Sequence, residues 1–180
     1  MEKKNKVQDR IDSQLLEDRK IFLWGMVDDK SAKHVVDRLM YLDSLNNDEI
    51  TFYINSPGGY VTSGFSMYDT IQSIKSPVST VCTGLAASMG SILLSAGKKG
   101  RRFIQPHARV MIHQPSGGAR GQASDIEITA QEIIKTKELS AKILAKNCGQ
   151  KYDKVMKDFN RDHWMGADES VEYGIVDGIL

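Results

Sequence analysis

Residues 50–59 join a strand to a tight turn. The strand-like part is β-branched and aromatic, Ile50-Thr51-Phe52-Tyr53-Ile54, and the turn Asn55-Ser56-Pro57-Gly58-Gly59 follows it directly. The segment after the turn has four apolar residues at helical spacing, Phe65, Tyr68, Ile71 and Ile74. A second strand is predicted over 78–82, after Pro77. This strand–helix–strand order is the unit from which parallel α/β sheets are built.

The same alternation continues on both sides of this unit. Upstream, residues 21–27 are typical of a buried strand, and Ser31 is expected to cap the helix that follows. Downstream, a small-residue helix is predicted over about 88–96. Further elements are predicted beyond it, namely strands at 101–104 and 109–112, helices at 152–159 and 167–173, and a last strand at 175–176. We predict a single α/β domain over 21–180, preceded by a polar, partly ordered segment over 1–20.

A long helix is expected after a glycine-rich bridge at 116–122. Ser124 and Glu127 have the spacing of a capping box, and the apolar pattern continues to about Asn147, where Gly149 ends it. Such a helix is over ~30 Å long at about 1.5 Å per residue. Two interpretations stay open: the helix projects and packs on another subunit, or it folds back on its own sheet.

Composition excludes several classes of protein. The chain has 180 residues, and its 41% hydrophobic and 26% charged residues are the balance of one globular domain. With 24 basic and 23 acidic residues there is no excess of positive charge for nucleic acid. No signal-like region follows the first lysines, and no apolar run reaches the roughly 18 residues of a membrane span. We therefore expect a cytoplasmic protein with neither a nucleic-acid nor a membrane partner.

Cofactor motifs are missing as well. There is no phosphate loop, no dinucleotide fingerprint and no H-E-x-x-H, so neither ATP, a dinucleotide nor a metal is expected. The four histidines, His34, His107, His113 and His163, are too far apart for a metal motif. Cys82 and Cys148 have neither CxxC nor zinc spacing, so we expect no disulfide scaffold and no structural zinc, and interpret both as small buried residues.

Ser88 is the first candidate for chemistry. It lies between small residues in Ala86-Ala87-Ser88-Met89-Gly90, where a strand passes into a helix, as in a nucleophile elbow. The N–H of Met89 is free there to stabilise an oxyanion. The turn Ser56-Pro57-Gly58-Gly59 can present further N–H groups. A packing serine and a plain turn are the alternatives, since Ala86 replaces the first glycine of G-x-S-x-G.

Serine catalysis needs a base and an orienting acid. His113 ends an apolar strand, which favours it over His34, His107 and His163. Asp162 follows a helix, and its rivals are Asp168 and Asp177. The pattern alone does not choose among the three carboxylates.

Together these segments resemble the proteolytic subunits of Clp proteases, the ClpP family. The resemblance is carried in order and in register by residues 54–59 (INSPGG), 84–90 (GLAASMG), 111–118 (MIHQPSGG), 121–127 (GQASDIE) and 161–177. It implies the fold that ClpP shares with crotonases, a spiral of βαβ units with a projecting handle helix.

The resemblance also implies roles for individual residues. The catalytic residues would be Ser88 as nucleophile, His113 as base and Asp162 as orienting acid. The backbone N–H groups of Gly59 and Met89 would form the oxyanion hole. An extended substrate would pair with the backbone around Val61 and Ser116, although Ser116 replaces the apolar residue common there.

The implied function is that of a serine endopeptidase within an ATP-dependent complex. It would cleave unfolded polypeptides to short peptides through an acyl-enzyme. Two heptameric rings would stack, and a hexameric AAA+ unfoldase such as ClpX or ClpA/ClpC would hydrolyse the ATP, so this chain needs no cofactor. The alternatives are a non-proteolytic ring subunit of the family and a crotonase-like acyl-CoA enzyme.

Overall fold

The computed structural model describes residues 2–180, with side chains from Lys6 onward. Its helices, in chain order, are α1 (Glu2–Glu17), α2 (Asp29–Leu45), α3 (Val61–Ser73), α4 (Met89–Ser95), α5 (Ala123–Cys148), α6 (Tyr152–Asp158) and α7 (Ala167–Tyr173). Its strands are β1 (Lys20–Trp24), β2 (Ile50–Ser56), β3 (Val78–Ala87), β4 (Arg102–Ile104), β5 (Arg109–Ile112), β6 (His163–Met165) and β7 (Gly178–Ile179). No helix in this part of the chain is long and apolar enough to cross a membrane.

The strands form one sheet that is mostly parallel. Its main path runs β1-β2-β3-β4-β7, and every neighbouring pair along it is parallel. β5 lies beside the C-terminal part of β3, also parallel, and β6 adds to β5 as the antiparallel strand. The predicted α/β fold of the ClpP kind is confirmed.

β3 is the strand on which this sheet divides. Its first part pairs with β4 through Thr80–Cys82, and its last part pairs with β5 through Leu85–Ala87. Between them the pairing with β2 shifts register, from Ile54↔Cys82 to Ser56↔Ala86. This irregularity lets one strand serve two partners in succession.

The core lies between one face of the sheet and the helices. Along β2 every second side chain is buried, and Ile50, Phe52 and Ile54 are fully enclosed. Leu39 of α2 and Met67 of α3 belong to the same buried core as these residues. Burial of each such large apolar side chain stabilises the folded chain by about 1.5–3 kcal/mol. The alternation of apolar residues along β2 therefore decides which face of this strand is turned toward the core.

Several predicted element boundaries are wrong for local reasons. Asp28, not Ser31, caps α2: its side chain accepts from the Ser31 N–H, and the Ser31 hydroxyl accepts from the Asp28 N–H in return. Ser124 is not a cap either, since α5 begins at Ala123 after Gln122.

The ends of the chain differ from expectation too. Residues 2–17 form α1, a helix that the sequence pattern does not predict. The last strand lies at Gly178–Ile179 rather than 175–176, because Ile175 and Val176 are buried in the bend after α7. Three-residue β6 was not predicted, and its pairing with β5 is visible only in three dimensions.

Of the two interpretations of the long helix, the structure supports the projecting one. α5 spans 26 residues, and its buried positions begin only at Ser140. Before that point apolar side chains stand in solvent, with Ile128 60% and Ile134 55% exposed. Gly149, in the left-handed conformation at φ 68°, ends the helix as predicted.

A buried ion pair fastens β4 to the end of the chain. The Arg102 guanidinium is 1% exposed and donates to Asp177 through Nε and Nη2, at 2.9 and 2.6 Å. Its Nη1 donates to the Asn147 carbonyl at 2.8 Å. Burial raises the pKa of Asp177, but the hydrogen bonds and charge of Arg102 and the backbone N–H groups of Arg102 and Gly100 outweigh it and hold the pKa below its usual value.

We predict that Asp177→Asn lowers the free energy of unfolding by about 3–5 kcal/mol at pH 7, because Arg102 keeps a buried charge without its counter-ion. The pKa of Asp177 is lower in the folded than in the unfolded chain, so its contribution is complete above the unfolded pKa of about 3.9 and disappears as the pH falls through the folded pKa. The difference should therefore shrink only below about pH 4. Urea unfolding at fixed protein concentration tests this, with exposed Asp168→Asn as the control. Equal effects of the two substitutions would contradict it.

Candidate active site

Pairing between three strands brings Ser88, His113 and Asp162 together. Ser88 directly follows β3, His113 directly follows β5, and Asp162 directly precedes β6. Ala87, before Ser88, pairs with Met111 of β5, and Ile112, before His113, pairs with His163 of β6. The Ser88 N–H also donates to the Met111 carbonyl at 2.8 Å. Segments far apart in the chain are thereby fixed within one edge of the sheet.

The three side chains form a continuous hydrogen-bonded relay. His113 Nε2 lies 2.9 Å from Ser88 Oγ, and His113 Nδ1 lies 2.9 Å from Asp162 Oδ1. An ionised carboxylate only accepts hydrogen bonds, so the Nδ1 of a neutral imidazole carries the proton. Nε2 is then left with its lone pair toward the serine hydroxyl, which is the arrangement of a general base beside a nucleophile.

The backbone of Ser88 has the geometry of a nucleophile elbow. Its φ of 54° and ψ of −121° are unusual for a residue with a side chain. The serine makes no side-chain capping bond to α4, the helix that it precedes. The strained strand-to-helix turn therefore leaves Oγ available to His113 rather than to the backbone.

Two amide groups beside Ser88 are available to an oxyanion. The N–H groups of Gly59 and Met89 donate to no acceptor within the described part of the chain. The turn that carries Gly59 is held by Val27, whose N–H donates to the Gly58 carbonyl at 2.9 Å and whose carbonyl accepts from Tyr60 at 2.8 Å. A fixed donor aimed at a developing charge is what an oxyanion hole requires.

Gly58 brings this turn into contact with the serine. A Cβ at Gly58 would lie 2.7 Å from Ser88 Cβ and 2.9 Å from the Met89 nitrogen, so only glycine fits. Ser56, fully buried, fixes the turn from within, since its Oγ accepts from the Gly58 N–H at 3.0 Å. The sequence pattern does not predict this role for Ser56. A serine directly before Pro-Gly-Gly was the available signal.

The rival histidines lie outside this cluster. His34 is on α2, with its Nδ1 2.9 Å from Arg38 Nη1, and partial burial together with the Arg38 charge lowers its pKa. His163 packs its ring against Tyr173, at 5.7 Å between centroids. His107 is exposed in the loop before β5.

The rival carboxylates have other surroundings. Asp177 belongs to the ion pair with Arg102, and Asp168 is exposed in the first turn of α7. Asp162 itself is 58% exposed, so solvent screens its charge, and the 2.9 Å hydrogen bond and strand pairing orient His113.

The residues expected to bind substrate flank the cluster in sequence. Val61 begins α3 directly after the glycine turn and is half-buried, and exposed Ser116 follows His113 in the loop toward α5. Their contact with a substrate stays a prediction. Among the described residues, no group of three or more histidine, cysteine or acidic side chains could hold a metal ion.

A comparison with protein families places this geometry in context. The family model described as Clp protease matches residues 2–180, essentially the whole chain. The match includes the elements that carry Ser88, His113 and Asp162, and it agrees with the resemblance that the motifs carry.

We predict that Gly58→Ala slows the reaction of Ser88 with a fluorophosphonate by about 10²–10³-fold, the cost of losing one oxyanion donor. The added methyl group would displace the turn from Ser88 and Met89. Gly100→Ala is the matched control, because Gly100 also has a positive φ, 83°, but nothing lies within 4 Å of a Cβ there. The rate of labelling of each variant is followed by intact mass and compared with that of the parent. A similar loss in both variants would mean that backbone strain, not contact with Ser88, causes the effect.

Proposed function

The chain belongs to the Clp protease family, and on that premise we propose that it is an active serine endopeptidase with Ser88 as nucleophile. The family includes inactive members, so membership by itself does not decide activity. The observation that supports the proposal is the relay from Ser88 through His113 to Asp162, with 2.9 Å at both hydrogen bonds. A ring subunit without proteolytic activity would have no need of an aligned base.

The proposed reaction is acyl transfer to Ser88. His113 Nε2 takes the hydroxyl proton as Oγ attacks the peptide carbonyl carbon, and the N–H groups of Gly59 and Met89 stabilise the oxyanion. The imidazolium then gives its proton to the leaving amine, and the acyl-enzyme forms as the peptide bond breaks. Water, deprotonated by His113, cleaves the ester and restores the serine. Asp162 holds the imidazole in the required tautomer throughout.

The proposed setting is an ATP-dependent complex. Clp protease family members generally form rings and pair with AAA+ ATPases. For this chain we propose two stacked heptameric rings and a hexameric unfoldase such as ClpX or ClpA/ClpC. In this proposal the partner hydrolyses the ATP, and the lack of a phosphate loop in this sequence is in keeping with that division of roles. The partner would unfold substrates and feed extended chains past Val61 and Ser116.

The surface of the chain supports assembly. The first half of α5 exposes Ile126, Ile128 and Ile134, which a single subunit leaves without packing partners. A second apolar surface lies on the open face of the sheet, where Phe22 stacks on Tyr53 at 5.0 Å and Trp24 is 65% exposed. Apolar patches of this kind mark interfaces more often than free surface.

Removal of the nucleophile tests the catalytic part of this proposal. We expect Ser88→Ala to lower peptide turnover by about 10⁶-fold, as in other serine triads, and to abolish the fluorophosphonate adduct. Exposed Ser73→Ala, whose hydroxyl bonds only the Thr70 carbonyl, is the control and should label like the parent. One adduct per parent chain is expected by intact mass. A parent that carries no adduct in either the free or the unfoldase-bound state would refute the catalytic assignment.

The assembly proposal has a separate test. We propose that the projecting half of α5 forms the contact between the two rings. Ile134→Glu should then reduce the sedimenting particle to about half the parent mass, because a charge would be buried in that contact. Thr129→Glu introduces the same side chain at a partly exposed position that lies about 140° around the helix from Ile134. Analytical ultracentrifugation distinguishes the two. An unchanged particle in Ile134→Glu would exclude this helix from the contact between rings.

A further inference from the structure

We propose that Asn55 is a positioning residue for Ser88, whose side-chain carbonyl replaces a backbone acceptor missing from the sheet and so fixes the end of β3. The inference rests on the proposed function, since it concerns the alignment of the same nucleophile. It adds a residue that touches neither Ser88 nor substrate but acts through the strand that carries the serine.

The register of β2 and β3 shows why an acceptor is missing. Between the pairs Ile54↔Cys82 and Ser56↔Ala86, β2 has one residue, Asn55, while β3 has the stretch from Thr83 to Leu85. β3 therefore has extra residues that no backbone group of β2 can match. Regular pairing resumes only at Ala86, immediately before the segment that ends in Ser88.

Asn55 bridges this gap with its side chain. Its Oδ1 accepts a hydrogen bond from the Leu85 N–H at 3.2 Å. Its own carbonyl accepts from the Gly25 N–H at 2.8 Å on the opposite side, beside β1. The residue is thereby held in the sheet by its backbone while its side chain holds the bulge of β3.

Gly84 makes room for this contact. It has a φ of 82°, and a Cβ there would lie 2.9 Å from Asn55 Oδ1. The positive φ turns the chain so that the next N–H, that of Leu85, points toward the amide of Asn55. The bulge and the asparagine thus form one unit.

The segment that this unit fixes leads directly to the catalytic geometry. Leu85, Ala86 and Ala87 pair with β5, and the Ser88 N–H donates to Met111. The same strand β5 carries His113 at its end. A shift of β3 against β5 would therefore change the distance between Ser88 Oγ and His113 Nε2. Displacements near 1 Å can cost about 10²-fold in rate.

Asn55 acts on β3 as a hydrogen-bond acceptor only. Its Nδ2 donates to no acceptor within the described residues. Asn55→Asp keeps an oxygen at the same position, whereas Asn55→Ala removes it. Asn46 offers a matched control, because its Oδ1 also accepts a backbone N–H, that of Asp48 at 2.9 Å, in an exposed turn away from the site.

The experiment compares fluorophosphonate labelling rates of Ser88 and peptidase kinetics in the assembled protein for the parent, Asn55→Ala, Asn55→Asp and Asn46→Ala. For Asn55→Ala we expect labelling and kcat to fall by about 10–100-fold with little change in KM, since misalignment affects the chemical step. Asn55→Asp should stay within about threefold of the parent, and Asn46→Ala should be unchanged. Hydrogen exchange of the Leu85 amide should accelerate in Asn55→Ala alone.

Each outcome is decisive. A parent that labels, together with an Asn55→Ala variant that labels at the same rate, overturns this inference and leaves the proposed function intact. A parent that fails to label overturns both. If Asn55→Ala does not fold, Asn55→Ser replaces it, since a hydroxyl on the shorter side chain cannot reach Leu85. Equal losses in Asn55→Ser and Asn55→Asp would then count against the acceptor role.

Discussion

β3 pairs in succession with two different strands, and the position of the candidate site follows from this. Its first part pairs with β4 and its last part pairs with β5, and both pairings are parallel. The register shift against β2 makes this possible and sends the end of β3 toward β5. Ser88 and His113 come together because of that change of partner, and the antiparallel strand β6 then brings Asp162 to the other side of the imidazole.

The site is assembled mainly from backbone geometry. The Ser88 elbow, the Gly58–Gly59 turn against Val27 and the N–H groups of Gly59 and Met89 are main-chain features, fixed by pairing within the sheet. Such groups need little reorganisation when charge develops, which is the source of most oxyanion stabilisation. The side chains contribute the proton relay. Exposed Asp162 can orient His113 despite solvent screening because a hydrogen bond, rather than long-range charge, connects them.

Asp162 and Asp177 illustrate how the surroundings of an aspartate set its role. Asp177 is nearly buried, has a lowered pKa and forms an ion pair with Arg102. Asp162 is exposed to solvent and is hydrogen-bonded to the imidazole of His113. Asp177 stabilises the sheet edge, where an unpaired guanidinium would be costly. Asp162 would orient His113 during catalysis, and its exposed position suits a site that a substrate must enter.

The family and the α/β alternation follow from the sequence alone, because apolar periodicity and the Pro-Gly-Gly and Ala-Ala-Ser-Met-Gly motifs are local signals. The sequence also favoured His113, which ends a strand. The residue pattern left Asp162, Asp168 and Asp177 open, the family resemblance implied Asp162, and the folded chain brings Asp162 to His113. Whether α5 projects or folds back, and where β6 forms, is visible only in the tertiary structure. Those outcomes depend on partners distant in the chain. The same holds for Asn55: its sequence neighbours indicate a turn, while its acceptor role exists only because β3, some thirty residues later, has a backbone N–H left unpaired by the shift in register.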